Sequence, residues 1–273
     1  MREVKELLSI VALSTLLGFS ASSGVGAQEG KEQPLQELFQ TELVYPQEKG
    51  EIQLTLAPRF REGDSRDIIE IPLTIEYGIT DAWQVEFKWD FFVHRNPTTG
   101  ASANGPGDLE IGTKYSFMNI AGTDFHIAVG FDIAFPLGDV NKGLTEGFIE
   151  YEPFFILARD FPQLNDLQLF TQVGVGLVQR VKKPDDPDDE EPAAHEFIWN
   201  SGFFIPFGPL VFTTEFNWNV NTWNNGGEEN QMYITPGLVL NLSGPWEVGI
   251  GTPVGLTDDA DNYRIIGMVT YEF

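Results

Sequence analysis

Few side chains in this sequence could carry acid–base or nucleophilic chemistry, because the 273-residue chain has three histidines and no cysteine. The absence of cysteine excludes disulfides, zinc–thiolate sites and cysteine nucleophiles. A serine and a histidine are the minimum for nucleophilic catalysis, and a turn at 119–123 would place Ser116 opposite His126, with Asp124 near the ring. There is no evident oxyanion hole, so ordinary polar residues are the favoured interpretation and no catalytic residue is predicted.

An acidic run at residues 185–191 reads Asp-Asp-Pro-Asp-Asp-Glu-Glu and could attract cations. Calcium-binding loops need a defined ligand spacing and a turn-forming glycine, and this run has neither. Prolines at 184, 187 and 192 favour an extended, solvated loop. We therefore predict neither a metal site nor a cofactor.

A third candidate alternates asparagines with aromatic residues, as a sugar-binding surface would. The asparagines are at 217, 219, 221, 224 and 225, and the aromatic residues are Phe216, Trp218 and Trp223. Alternation along a strand places the two sets on opposite faces. That arrangement favours an aromatic girdle outside a polar interior over a sugar site.

The elements that position these residues are predicted to be β-strands, because apolar residues alternate with polar or small ones from residue 51 onward. One apolar face is predicted to contain Trp83, Val85, Phe87, Trp89, Phe91 and Val93, and another Phe125, Ile127, Val129, Phe131, Ile133 and Phe135. The alternating runs are longer than most soluble strands, and they carry aromatic residues near their ends. Both properties are typical of strands with one face toward lipid.

Short and longer connections tend to alternate along the chain, as they do in outer-membrane barrels. The short ones fall at 78–81, 119–123, 160–166, 206–209 and 243–245, and the others at 61–65, 95–106, 138–145, 183–194, 223–230 and 257–261. The strands between them number about twelve, which predicts an all-β, transmembrane, antiparallel up-and-down β-barrel. Because short turns face the periplasm in such barrels, both termini are predicted to be periplasmic.

The N-terminus has the layout of a secretory signal peptide, with Arg2 and Lys5 before an apolar run and a small-residue cleavage site ending at Ala27. We predict a signal peptide at 1–27, a periplasmic N-terminal lead at 28–50 and an outer-membrane barrel at 51–273. The lead has apolar residues at helical spacing, which predicts a short helix or a disordered stretch, too short to plug a lumen. At the other end, Tyr271 and Phe273 are predicted to form an assembly signal for the barrel-assembly machinery.

Charge predicts what the barrel interior would attract. The net charge of −25 excludes nucleic acid as a partner. The predicted inward faces carry five basic residues, Arg59, Lys88, Lys114, Arg180 and Arg264. Against them stand fourteen acids: Glu70, Glu76, Glu86, Asp90, Asp108, Glu110, Asp124, Asp132, Glu150, Glu152, Glu196, Glu215, Glu247 and Glu272. A narrow lumen with this surplus should prefer cations.

Two stretches resemble a known family. Gly-Asp-Leu-Glu-Ile-Gly at 107–112 and Lys-Gly-Glu-Ile-Gln-Leu at 49–54 are similar to segments of an outer-membrane transporter family named for the MetA pathway of phenol degradation. The likeness extends over residues 28–273 in layout, but only these two stretches match in motif. It implies uptake of aromatic or other apolar compounds.

The predicted function is passage of a small-molecule solute through a barrel embedded in outer-membrane lipids, without enzymatic activity. Two alternatives stay open: a structural or adhesive barrel that does not conduct, and an outer-membrane lipid hydrolase that would use Ser116. Inward-facing Phe154, Phe170 and Met268 could obstruct the lumen. The sequence does not distinguish an open lumen from a plugged one.

Overall fold

The alternating segments form long antiparallel strands in the computed structural model, which describes residues 33–35, 37–185, 194–221 and 229–273. Each strand pairs with its neighbours in sequence, and the first pairs with the last, which closes a twelve-stranded barrel as predicted. The strands are β1 (Ile52–Leu56 and Arg59–Glu62), β2 (Arg66–Thr80), β3 (Trp83–Pro97), β4 (Leu109–Phe117, preceded by Ala103–Gly105), β5 (Phe125–Phe135), β6 (Phe148–Phe161), β7 (Leu167–Arg180), β8 (Glu196–Phe207), β9 (Leu210–Asn221), β10 (Glu229–Asn241), β11 (Trp246–Gly251 and Val254–Gly255) and β12 (Tyr263–Glu272).

A proline lies in the gap of each of the two strands that consist of two pieces, β1 and β11. Pro58 lies in the gap of β1 and Pro253 in the gap of β11. Proline has no N–H group to donate, so it interrupts the ladder of hydrogen bonds. The pairing continues on both sides of each gap, because both pieces of β1 pair with β12 and both pieces of β11 pair with β10.

The two faces of the barrel wall differ as the alternation predicts. On β5, Val129 and Phe131 are 44% and 39% exposed, whereas His126 and Ala128 are 2% and 0% exposed. Apolar residues on the outer face of the other strands are exposed in the same way, among them Ile75, Phe87, Ile111, Phe155, Val173, Trp199, Phe212 and Val269. This belt of apolar side chains around a closed barrel is the surface that lipid requires.

The predicted phase is wrong at the end of β3. Val93 is predicted to face outward with Phe91, but it is 6% exposed and packs with Ile68 and Leu144. The register between β2 and β3 shifts, because Ile71 pairs with Phe92 while the next residue, Pro72, pairs with Asp90. Phe91 is therefore the extra residue of a β-bulge, and the residues after it exchange faces.

The two ends of the barrel differ in their connections. Tight turns at one end, here called the turn end, use left-handed residues such as Asn119, Asn165, Gly208 and Gly244. Most of the longer connections lie at the opposite end, here called the loop end. β1 begins and β12 finishes at the turn end, where the Phe273 N–H donates to Ile52 O.

The described residues of 33–50, here called the internal segment, enter the barrel from its turn end, where Glu48, Lys49 and Gly50 are exposed. None of them is helical, so the helix, one of the two predicted alternatives, is wrong. Leu35, Phe39 and Val44 are at most 5% exposed and join the core formed by inward side chains of the strands. Among the described residues, no helix is long and apolar enough to cross a membrane.

Candidate functional site

The apolar side chains of the internal segment fill the turn end of the lumen. The residues that contribute are Leu35, Leu38, Phe39, Leu43 and Val44. They pack against inward residues from around the barrel, including Ala128, Phe154, Ile156, Phe170, Phe204, Val211, Val239, Ile266 and Met268. The segment was predicted to be too short to plug the lumen, yet it fills the lumen at the turn end and leaves cavities above it. Phe154, Phe170 and Met268 face inward and pack against the segment, and whether they block passage stays a prediction.

Glycines on the inner face of β10 and β11 make room for the Phe39 ring. A Cβ atom at Gly237 would lie 2.3 Å from Phe39 Cε2, and one at Gly251 would lie 2.5 Å from Phe39 Cγ. Real Cβ atoms do not approach other atoms so closely, so any larger residue at either position would displace the ring. The barrel wall is thus shaped to this side chain of the internal segment.

The innermost part of the segment is held by a buried carboxylate. Glu215 on β9 is 0% exposed and accepts hydrogen bonds from the backbone N–H groups of Phe39 (2.9 Å) and Gln40 (3.0 Å). The Gln40 side chain donates to Asn217 and Thr235, both at 2.7 Å. Buried polar groups are costly unless they are paired, and these contacts pair both the wall and the segment.

Residues 42–44 of the segment, which lead back toward the turn end, are held on the other side of the lumen. Lys114 on β4 is 4% exposed, and its Nζ donates to Glu42 Oε2 (3.1 Å) and to the Leu43 carbonyl (2.6 Å). Ser116 Oγ donates to the Val44 carbonyl at 2.7 Å. The Glu42 N–H donates to Gln172 on β7. Side chains predicted to line an aqueous lumen thus bind peptide groups of the chain itself.

Near the turn end, two side-chain clusters complete the contacts. Gln47 donates to Gln53 and Glu76, and Gln53 and Gln84 also donate to Glu76, which is 4% exposed. On the opposite wall, the Tyr45 hydroxyl is 3.1 and 3.2 Å from the two carboxylate oxygens of Asp160.

The structure does not bring Ser116 and His126 together as a catalytic pair. Ser116 pairs across the strands with Ala128, because the turn extends to residue 124 and shifts the register. His126 Nδ1 accepts from the Asn119 N–H, and Nε2 contacts Asp160 Oδ2 at 3.1 Å. The carboxylate at the ring is therefore Asp160 and not Asp124. Both ring nitrogens are occupied, which leaves no free base for Ser116.

A cavity of about 300 Å³ lies above the internal segment, in the middle of the lumen. Its lining includes eight of the predicted inward residues: Arg59, Glu70, Glu86, Lys88, Glu110, Asp132, Glu152 and Arg264. Residues 37–42 of the internal segment form its floor. We call this space the inner cavity.

A second cavity of about 580 Å³ lies toward the loop end, here called the outer cavity. Its lining includes the predicted inward residues Glu70, Asp90, Asp108, Glu150 and Glu196. Asp108 accepts hydrogen bonds from Thr145 Oγ1 (2.9 Å) and the Gly138 N–H (3.3 Å), so it also holds the loop between β5 and β6. The two cavities share Arg61 and Glu70, which form a salt bridge of 2.9 Å.

The remaining predicted residues lie elsewhere. Lys114, Glu76 and Glu215 contact the internal segment, and the Arg180 guanidinium lies 4.2 Å from the centre of the Phe148 ring. Tyr271 and Phe273 stack at the turn end with ring centres 4.5 Å apart.

Two candidates from the sequence lie wholly or partly outside the described residues. Of the acidic run only Asp185 is described, and of the asparagine cluster Trp223, Asn224 and Asn225 are not. Asn217 and Trp218 occupy opposite faces, since Asn217 bonds Gln40 inside while Trp218 stacks edge-on with Phe197. In the described part of the chain, no group of three or more His, Asp or Glu side chains could hold a metal ion.

Sequence reasoning missed the internal segment and its anchors, Gln172, Asn217 and Thr235. One signal was available: three glycines, Gly237, Gly249 and Gly251, fall on inward positions of adjacent strands and all lie close to the Phe39 ring. Such a patch without side chains indicates that something else occupies the space.

The chain matches no protein-family model and no curated protein. Its fold is similar to solved outer-membrane channels. An outer-membrane channel from Pseudomonas putida F1 superposes with a TM-score of 0.62 at 10% identity, over 84% of this chain and 98% of that one. The NanC porin gives 0.54 at 11% identity over 81% and 98%, and the KdgM porin gives 0.53 at 11% over 80% and 99%. At such low identity the likeness shows the fold alone, and that fold is the one used by outer-membrane channels.

Proposed function

We propose that this protein is a bacterial outer-membrane channel for small molecules, with the turn end in the periplasm and the loop end outside. The observation that carries the proposal is a pair of cavities with charged linings, which lie in the lumen between the loop end and the internal segment, inside a wall with an apolar outer face. The fold shared with known channels supports it.

The internal segment determines how wide the path can be. Phe39 and Leu43 belong to an apolar core at the turn end, so the described conformation narrows the lumen there. We infer that a large conductance requires the segment to move away from Glu215 and Lys114.

The surplus of carboxylates in both cavities supports cation preference as part of the proposal. Glu86, Asp132 and Glu152 line the inner cavity, and Asp90, Glu150 and Glu196 line the outer one. Passage of aromatic or apolar compounds rests only on the family resemblance, since both cavities are lined largely by polar and charged groups. The role of Tyr271 and Phe273 in assembly stays a prediction.

Conductance in planar lipid bilayers tests the proposal. We expect a small, cation-selective conductance from the full chain and a several-fold larger one when residues 33–48 are replaced by a glycine–serine sequence of equal length. Selectivity should weaken as salt rises and screens the carboxylates. If neither protein conducts, the alternative of a structural barrel is favoured, because removal of the segment's side chains would then have opened no path.

A further inference from the structure

The inner cavity contains carboxylates that the rest of the protein does not neutralise. Glu86, Asp132 and Glu152 accept no hydrogen bond from any described residue and form no salt bridge with one. Lys88 is the nearby cation, and it contacts Glu110 at 3.0 Å. This wall of the cavity, formed by β3 to β6, therefore carries more carboxyl groups than basic groups.

Two of these carboxylates are direct neighbours. Asp132 on β5 and Glu152 on β6 are paired residues across the strands, so their side chains share a face. Like charges directly opposite each other in a sheet are destabilising. A cationic group bound between them would remove that repulsion.

Both carboxylates lie against glycines of the neighbouring strands. A Cβ atom at Gly112 would lie 2.4 Å from Asp132 Oδ1, and one at Gly174 would lie 3.1 Å from Glu152 Oε1. The flanking strands thus present bare backbone where a side chain could otherwise donate. Both carboxylates also line the inner cavity, from which a ligand's amine could approach them.

A cation with an unused donor lines the same cavity from β1. Arg59 pairs across the strands with Glu70, but the Glu70 carboxylate bonds Arg61 instead. Arg59 forms no salt bridge with a described carboxylate, and its Nε is buried without a partner. Guanidinium groups bind carboxylates with paired, charge-assisted hydrogen bonds.

We propose, resting on the proposed channel function, that the inner cavity binds a small zwitterion, with its ammonium group at Asp132 and Glu152 and its carboxylate at Arg59. A metal ion or a simple amine would neutralise the acids but would leave Arg59 unpaired. A simple anion would pair with Arg59 but would leave Asp132 and Glu152 without a cationic partner. A cavity of about 300 Å³ is at the small end of ligand pockets, which fits an amino-acid-like solute.

Titration calorimetry of the full chain with three matched probes tests this proposal. The probes are 5-aminopentanoate, pentylamine and pentanoate, which carry both charges, the positive charge only and the negative charge only. We expect the zwitterion to bind at least about tenfold more tightly than either of the others, as one added charged hydrogen bond would give.

Variants identify the two ends of the site. Arg59→Gln should weaken zwitterion binding about tenfold and leave pentylamine binding unchanged. Arg59→Lys should restore much of the loss, which a purely structural role would not predict. Asp132→Asn and Glu152→Gln should weaken both amines. Glu196→Gln is the matched control, because it removes a carboxylate from the outer cavity only.

Three outcomes would overturn the proposal. Equal binding of pentylamine and the zwitterion, insensitive to Arg59→Gln, would show a cation site only. Tightest binding of pentanoate would show an anion site. Binding of no probe would show that the carboxylates are satisfied by shared protons or water. Conductance without binding leaves the channel function intact, whereas binding without conductance removes the channel function and leaves the site.

Discussion

Carboxylates have different surroundings in the two halves of this lumen. The half next to the turn end, here called the turn half, contains the internal segment, and the rest of the lumen, here called the loop half, contains the two cavities. In the turn half, Glu215 is fully buried and accepts two backbone N–H groups from the internal segment. In the loop half, Asp132, Glu152 and Glu196 border cavities. A carboxylate without water is stabilised by fixed donors, whereas one beside a cavity stays accessible to solutes. The turn half therefore resembles a protein core, and the loop half resembles a binding vestibule.

The largest expected effect comes from emptying the turn half. Phe39→Ala leaves the space between Gly237 and Gly251 unfilled, and such core truncations cost about 3–5 kcal/mol. We expect the internal segment to undock and channel openings to become frequent. The chain has no cysteine, so maleimide labelling of a Thr41→Cys background reports undocking directly. Phe131→Ala on the lipid face is the control, and equal labelling of the two variants would contradict the contrast between the halves.

The next effect compares two glutamates. Glu215→Ala leaves the N–H groups of Phe39 and Gln40 without their acceptor, at a cost of about 1–3 kcal/mol each if they stay buried. Glu196→Ala, in the outer cavity, should leave labelling at Thr41→Cys unchanged. Glu215→Gln keeps an acceptor and should be milder than the alanine variant. If Glu196→Ala released the segment as readily, the two halves would not be independent.

The smallest effect is expected from a half-exposed ion pair in the inner cavity. Lys88 and Glu110 are 29% and 28% exposed, and such pairs contribute at most about 1 kcal/mol to stability. Lys88→Gln should thus change the unfolding midpoint little, but it should increase cation selectivity, because it removes a positive charge from the lumen. Reversal potentials across a salt gradient measure this, and Lys142→Gln in an exposed loop is the control.

The local sequence pattern was sufficient to predict the barrel but not the position of the internal segment inside it. Alternation on β5 predicts the exposed Val129 and the buried Ala128, because the two faces contact different solvents. The same reasoning fails after Phe91, where a bulge reverses the phase without a local sequence signal.

It fails also for the internal segment, whose apolar residues suggest a helix when they are considered alone. The partners of Phe39 and Gln40 are at 215, 217, 235, 237 and 251, and no local pattern links them. The sequence predicted which charged residues face the lumen. It did not predict which of them bind the internal segment and which line the cavities, because that depends on where the segment lies. Lys114 illustrates the point, since its inward position was predicted and its bond to the Leu43 carbonyl was not.

The separation in sequence between Phe39 and Glu215 also has a kinetic consequence. The two residues are 176 positions apart, so their hydrogen bond closes a very long loop, and contacts of this kind form slowly. Glu215 is in place only after β9 is built, and the ring closes only when β12 meets β1. A segment attached to β1 is near the interior throughout, and the closing wall can surround it. We therefore expect folding in two phases, in which strand pairing is followed by slower docking of the internal segment. The gap between β1 and β12 is the last place through which the segment can enter the barrel from the side.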